Sequence, residues 1–367
     1  MPTIERLDIR VISRHPSYHG WPTVARRRNG QLLVAASAGR EAHVCPYGQV
    51  HLIRSDDNGE TWSDPEIVAD TPLDDRDAGV LETRSGALLV NWFSSVAWMV
   101  TLHRQEVGEV DWLPPETQAR WRAERERVVS RVRVRDELGA WLVRSEDGGR
   151  TWSERIPTVV SSPHGPIELS DGRLLFAGKR QTPPEQWRDG SAHGTGEVGV
   201  AVSTDDGRSW QWLTAVSPMA GHTQEDYHEP HVVETADGRL VMHIRNHGKP
   251  YPHETLQCES SDGGRTWSPV HPIGVWGLPS HLMRLRDGRL LMTYGYRRPP
   301  YGNQARVSAD GGRSWSEPLI VSDDGFCGDL GYPSTVELAD GRLLTVWYER
   351  LKDHPAAVLR QARWRLR

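Results

Sequence analysis

Residues 55–62 read SDDNGETW, and the pattern returns as SEDGGRTW at 145–152, STDDGRSW at 203–210, SSDGGRTW at 260–267 and SADGGRSW at 308–315. In each copy an Asp (Asp57, Asp147, Asp205, Asp262, Asp310) stands two residues before a Gly (Gly59, Gly149, Gly207, Gly264, Gly312). A short carboxylate there can accept the turn's own backbone N–H groups, and Gly supplies the positive φ of a tight turn. The hydroxyl two residues on (Thr61, Thr151, Ser209, Thr266, Ser314) is expected to bond backbone, and the Trp after it offers a large apolar body to bury. A calcium loop would carry oxygen ligands at alternate positions out to a distant Glu, which these stretches lack. The motif therefore reads as a scaffold turn used five times. It also supplies five of the 16 Trp, in a chain with only 3 Phe.

A second unit occurs six times: a short apolar run, a Gly turn and another apolar run. The copies are PTVARRRNGQLLVAAS from Pro22, AGVLETRSGALLVNWF from Ala78, GPIELSDGRLLFAG from Gly165, PHVVETADGRLVMHI from Pro230, SHLMRLRDGRLLMTYG from Ser280 and STVELADGRLLTVWY from Ser334. Alternating apolar positions around D-G, N-G or S-G are β-hairpin signatures. The acidic turn follows five of the six hairpins, giving four strands per unit. Six four-stranded units describe an all-β fold, a six-bladed β-propeller. The last hairpin is followed only by DHPAAVLRQARWRLR, so the N-terminal TIERLDIRVISR is expected to supply the missing strand and close the ring. No Gly/Ser linker divides the chain, and residues 1–367 read as one domain. An insertion over 100–138, in blade two, carries PPETQARWRAERERVVSRVRVRD and predicts a surface helix after Pro114 and Pro115. Decoration of the rim, a lid over a site and a contact in a homo-oligomer all stay open for it.

Composition narrows the function classes. With 37% apolar and 25% charged residues the profile is that of a soluble globular chain. The net charge of −5, from 44 basic and 49 acidic residues without long runs, gives no electrostatic footprint for nucleic acid or an anionic membrane. Cys45, Cys258 and Cys327 are odd in number and far apart, which argues against a disulfide framework. The start, MPTIERLDIRVISRHP, is charged where a secretory leader is apolar, so a cytoplasmic protein is expected. No cofactor is called for. His228 and His231, three apart on a strand, would point to opposite faces, so no metal site is expected.

In a propeller the innermost strand of each blade borders the axial channel. The residues leading into the six hairpins are YHGWP, DDRDAG, SSPHGP, DYHEPH, WGLPSH and DLGYPS, richer in polar groups than strand starts require. They place His19, Arg76, Asp77, His164, His228 and Asp329 around one candidate site for an oligosaccharide or glycoside.

The repeated S-x-D-x-G-x-T/S-W resembles the Asp box of the sialidase (neuraminidase) superfamily, and the six-blade count fits that family over essentially the whole chain. The family grips a substrate carboxylate with three arginines, attacks with a Tyr activated by a Glu, and uses an Asp as acid/base catalyst. By resemblance, HEPHVVETADGRLVMHIR carries the Glu and second Arg as Glu229 and Arg245, and GYPSTVELADG carries the nucleophile as Tyr332. The third Arg is implied to be Arg298 or Arg297, in GYRRPPYGNQARVS. Two places depart. The family's Arg-Ile-Pro reads Gly20-Trp21-Pro22, and the loop holding the acid/base Asp presents His43 in GREAHVCPYG.

A His can act as base when neutral and as acid when charged near neutral pH. The implied roles are Tyr332 and Glu229 at the anomeric carbon, His43 handling the proton, and Arg245 with Arg298 or Arg297 holding the anion. Arg76 would replace the lost cation, or Asp77 contribute a carboxylate. The expectation is a sialidase-like exo-glycosidase acting on a terminal acidic sugar. A His-dependent lyase or hydrolase of a rhamnosyl-glucuronate or other uronate linkage, and a glycan-binding propeller without turnover, are the alternatives.

Overall fold

The computed structural model of the protein describes residues 2–13, 16–180, 196–354 and 356–367. The local signals become four hydrogen-bonded strands per unit. Blade one runs through Tyr18–Arg26, Leu32–Arg40, Gln49–Ser55 and Glu66–Ala69; blade two through Asp74–Glu82, Leu88–Ser95, Ala140–Ser145 and Ile156–Pro157. In blade three the innermost strand is split into Val160–Ser161 and Ile167–Glu168, both pairing with Leu174–Arg180. Blades four and five start at Tyr227–Glu234 and Ser280–Arg284. Blade six is built from Leu330–Glu337, Leu343–Arg350 and Ala357–Leu366, and its fourth strand is the N-terminal Ile4–Val11, paired antiparallel with the last. The chain's two ends thus share one sheet and close a six-bladed ring.

The acidic turns work as scaffold, with one difference from expectation. Ser55 Oγ donates to Asp57 Oδ1 at 2.8 Å, and Asp57 Oδ1 accepts the Thr61 N–H at 2.9 Å. The Thr61 hydroxyl closes on Asp57 Oδ2 at 2.6 Å rather than on backbone. The carboxylate is the stronger acceptor, so it takes the hydroxyl that a neutral carbonyl would otherwise receive. The same bonds recur at Asp147, Asp205, Asp262 and Asp310. Burial acts to raise the Asp57 carboxyl, but the bonds from Thr61 and Ser55 outweigh it and hold the group down to about 2. Gly59 sits at φ +80°, where a Cβ would meet Leu344 Cδ1 at 2.5 Å. Trp62 then reaches across to the neighbouring blade and donates its indole N–H to Gln361 Oε1 at 2.8 Å.

Four of the six innermost strands carry the same irregularity. Register breaks fall between Gly20 and Thr23, Arg76 and Gly79, His228 and His231, and Gly331 and Ser334. Inside each break one residue has left-handed φ: Trp21 (53°), Asp77 (57°), Glu229 (42°) and Tyr332 (52°). A bulge re-aims one side chain while the ladder continues on either side. Non-glycine residues rarely take this backbone, at a strain on the order of 1–3 kcal/mol each, and such strain gathers at functional sites.

The insertion is helical and begins slightly earlier than the sequence suggests. Helix α1 spans Ala97–Glu106, α2 spans Pro115–Arg131 and α3 spans Val134–Glu137. Trp98 and Trp121 are fully buried and cluster with Leu102, Leu113 and Cys45. The helices therefore pack down on the loop 41–47.

Candidate functional site

An open pocket of about 320 Å³ lies where the bulged strands converge, with Glu229, Arg245, Tyr332, Asp77, Arg76, Arg297 and His43 in its wall. Val44, Phe93 and Ala97 supply an apolar side. Ala97 opens α1, so the insertion contributes to the wall.

The tightest constellation is Tyr332, Glu229 and Arg245, drawn from blades six and four. Tyr332 Oη donates to Glu229 Oε1 at 2.7 Å. Arg245 Nη1 donates to Glu229 Oε2 at 2.6 Å and to Tyr332 Oη at 2.8 Å. Burial pushes the phenol well above its ordinary range and the Glu229 charge adds to this, so the phenol rests neutral with its proton aimed at a carboxylate. For Glu229 burial acts upward, yet the Arg245 charge and the bonds from Arg245 and Tyr332 prevail and keep it ionised. A neutral phenol, an ionised acceptor on its proton and a cation beside both form an arrangement able to deliver a phenolate oxygen.

Asp77 is almost wholly buried, and burial, followed by the Glu229 charge, raises its carboxyl to about 7. Asp75 points away from the pocket, accepting the Thr71 N–H and hydroxyl and the Ser94 hydroxyl.

The two arginines in tandem separate. Arg297 lines the pocket, donates its Nε–H to the Leu330 carbonyl at 2.9 Å and lies over the Tyr332 ring at 5.6 Å. Among the described residues it has no carboxylate within ion-pairing distance. Arg298 is turned outward and stacks on Trp276 at 3.5 Å. The strand Leu290–Tyr296 ends just before the pair, so the next two side chains diverge. Arg297 is therefore the pocket residue, and the placement of Arg298 in the anion grip is corrected.

Trp21 occupies, in blade one, the bulge position that Tyr332 occupies in blade six. Arg76 lies over its ring at 4.2 Å and Arg40 at 4.9 Å. These cations do not stand free: Arg40 is buried in an ion pair with Asp74, which Arg76 also reaches at 3.4 Å. Both donate to the His43 carbonyl, Arg40 Nη2 at 3.0 Å and Arg76 Nη1 at 3.1 Å. Arg76 thus touches the pocket but chiefly fixes the loop. The insertion fixes it from the other side, with the Trp121 indole N–H on Glu41 Oε1 at 2.7 Å and Arg120 on Glu41 Oε2 at 2.9 Å.

His43 stands edge-on to Trp21 with ring centroids 5.1 Å apart, and half of its side chain is exposed to the pocket. Asp329, which sequence placed among the substrate contacts, lies behind His43 and outside the pocket wall. His19, His164 and His228 also lie outside that wall. His164 is buried edge-on against His231 and His281, which stack on each other, with ring centroids 4.7–5.3 Å apart across the three. The His231 Nδ1 accepts the Leu282 N–H at 2.9 Å. Burial drives His164 and His231 well below the ordinary imidazole value. His228 faces His247, and burial, then the Lys179 charge, lower it to about 4. Among the described residues no cluster of three His, Cys, Asp or Glu is placed to hold a metal.

Sequence reasoning missed Trp21, Arg40, Tyr18 and Tyr348 as site-shaping residues. The available signal was internal: Gly20-Trp21-Pro22 repeats Gly331-Tyr332-Pro333.

Comparison with known proteins agrees with the fold. The family model described as a BNR repeat-like domain matches residues 127–346. A sialidase of Bacteroides fragilis (strain YCH46) is 24% identical over 346 residues, covering 87% of this chain and 56% of that protein. The chain thus spans little more than half the length of that relative. A solved structure of a protein of unknown function from Dyadobacter fermentans superposes with a TM-score of 0.78 at 21% identity, over 100% of both chains. The Hadza microbial sialidase Hz136 superposes with a TM-score of 0.64 at 18% identity, over 94% of this chain and 65% of that one. Identities of this order carry the fold, which is sialidase-like.

Proposed function

The chain belongs to the BNR repeat-like domain family, as a divergent member of the sialidase superfamily, and from that premise we propose that it is an exo-glycosidase removing a terminal acidic sugar from a glycan. The observation carrying this reading is the Tyr332–Glu229–Arg245 constellation, with every contact between 2.6 and 2.8 Å. Arg297, without a carboxylate partner among the described residues, supports an anionic sugar, because a guanidinium pairs bidentately with a carboxylate.

In the first step Tyr332 Oη bonds to the anomeric carbon as its proton passes to Glu229. The glycosidic C–O bond breaks, and the leaving oxygen takes a proton from the His43 imidazolium. In the second step neutral His43 takes a proton from water, whose oxygen attacks the anomeric carbon. The bond to Tyr332 breaks and Glu229 returns the proton. Two displacements retain the configuration.

A second reading, cleavage of a uronate linkage by His43 acting alone, draws support from Gly20, which stands beside the Trp21 bulge where the resemblance implies the family's first Arg. It requires neither Tyr332 as nucleophile nor three arginines. The test is a screen of methylumbelliferyl glycosides of sialic acid, Kdo-like sugars, uronates and rhamnose, together with Tyr332→Phe, Glu229→Ala and His43→Ala. Turnover abolished by all three substitutions supports the exo-glycosidase. Full turnover in Tyr332→Phe with an unsaturated, ultraviolet-absorbing product supports the lyase, and binding without turnover supports a lectin.

A further inference from the structure

His43 does not stand alone. Its Nδ1 lies 3.0 Å from Tyr18 Oη and 3.3 Å from Asp329 Oδ1. Tyr18 Oη donates to Asp329 at 3.0 Å, and Tyr348 Oη donates to the same carboxylate at 3.1 Å. The hydrogens can be assigned from this pattern. An ionised carboxylate only accepts, and each phenol has one hydrogen, already directed at Asp329. The contact between Nδ1 and Asp329 therefore requires the proton on Nδ1, which leaves the Nε2 lone pair as the working atom of the neutral ring.

We propose that Asp329 is the positioning residue of His43: held between the Tyr18 and Tyr348 hydroxyls, it fixes the imidazole as the Nδ1–H tautomer and aims Nε2 at the pocket. The role rests on the exo-glycosidase reading for its chemistry but not for its geometry. Every charged or titratable neighbour of the ring pulls one way or the other. Burial lowers the imidazole below 6.5, the Asp329 bond and charge draw it back up, and Arg76 and Arg40 push it down again. Tyr18 and Tyr348 stay protonated, raised by burial first. Burial acts to raise Asp329, but its bonds to His43 and both phenols leave it lowered and ionised. An acid/base His that must alternate between states gains from a fixed partner on the far nitrogen, because the partner selects the tautomer and steadies the cation.

The experiment uses the full chain, isotopically labelled, with long-range proton–nitrogen correlation spectra of His43 recorded across pH for wild type, Asp329→Asn and Tyr348→Phe. The expected result is a protonated Nδ1 in the neutral wild-type ring. The His43 midpoint should fall by about one pH unit in Asp329→Asn, roughly a tenfold change in proton affinity, and rise by less in Tyr348→Phe, where the carboxylate loses a donor and holds the imidazolium proton more strongly. The kcat/KM profile of Asp329→Asn should shift along the same pH axis with KM little changed. An unprotonated Nδ1 in the wild type, or one midpoint shared by wild type and both variants, overturns the proposal. If Asp329→Asn does not fold, Tyr348→Phe alone decides, since it withdraws one donor from Asp329 and leaves the carboxylate in place. Absence of turnover on every glycoside would strike the exo-glycosidase reading, while the nuclear measurement would still decide the pairing.

Discussion

Replacing Asp77 by Asn tests the electrostatics of the pocket directly. Asp77 is 7% exposed and sits at φ 57°, a backbone that Asn tolerates, so the change removes a titratable group with little steric disturbance. Its carboxyl is raised from 3.8 to about 7, by burial first and by the Glu229 charge second. A group raised on folding contributes stability that is intact below its unfolded value and lost as pH climbs through its folded value. The window is therefore from about 4 to about 7, and at 1.36 kcal/mol per tenfold change the full loss is about 4 kcal/mol. Between about pH 5 and about pH 8 the wild type should lose roughly 3 kcal/mol that the variant keeps. Part of this returns through Glu229, whose proton affinity falls when its neighbour carries no charge, so the expected difference is about 2 kcal/mol. Urea unfolding of both proteins at the two pH values measures it, with Asp77→Asn relatively more stable at the alkaline end. Parallel losses in the two proteins would refute the claim that Asp77 is held protonated by its surroundings.

The divergence of the tandem arginines predicts that Arg297→Ala raises the dissociation constant of an acidic monosaccharide by about tenfold or more, a charged bond being worth about 1.5–3 kcal/mol. Arg298→Ala should leave that constant unchanged, and titration calorimetry distinguishes the two. Trp121→Phe removes the indole donor from Glu41 while keeping most of the apolar bulk. It should therefore lower kcat by a few-fold through the His43 loop and lower the melting temperature only modestly. In the first acidic turn, Asp57→Ala should cost about 1–3 kcal/mol in denaturant unfolding. With the carboxyl held at about 2, that contribution is present above 3.8 and fades as pH falls toward 2, so wild type and variant should converge in acid.

The fold was legible because its determinants are local and repeated. Each acidic turn satisfies its own hydrogen bonds within eight residues, each hairpin carries its own Gly, and six copies leave few architectures open. Glu229, Arg245 and Tyr332 were legible only through resemblance, since 16 residues separate the first two and 87 separate Arg245 from Tyr332. Other features were not legible for reasons of geometry. Whether Arg297 or Arg298 faces the pocket depends on where the strand Leu290–Tyr296 stops, a boundary that periodicity leaves loose by a residue or two. The link from His43 to Asp329 spans 286 residues and joins two loops that carry no repeat. The insertion read as a surface helix because its charged face dominates its composition. Its role in holding the loop 41–47 depends on Trp98 and Trp121, whose burial against Cys45 is a tertiary fact.

The repeated bulge shows how the side chains of the site can vary from blade to blade without loss of the ring. Trp21, Asp77, Glu229 and Tyr332 occupy equivalent kinks in four blades, and in three of them the next residue is Pro. Backbone pairing on both sides of each kink holds it, so the side chain at its tip is free to change chemistry while the ladder stays the same. An indole in blade one still has to be supported, and Arg40 and Arg76 both pack on it while bonding the His43 carbonyl. Substituting Trp21 by a smaller residue would leave both cations without a ring to pack on and release the carbonyl that positions His43. The indole and the histidine loop are on this account one mechanical unit, and neither can be exchanged without the other.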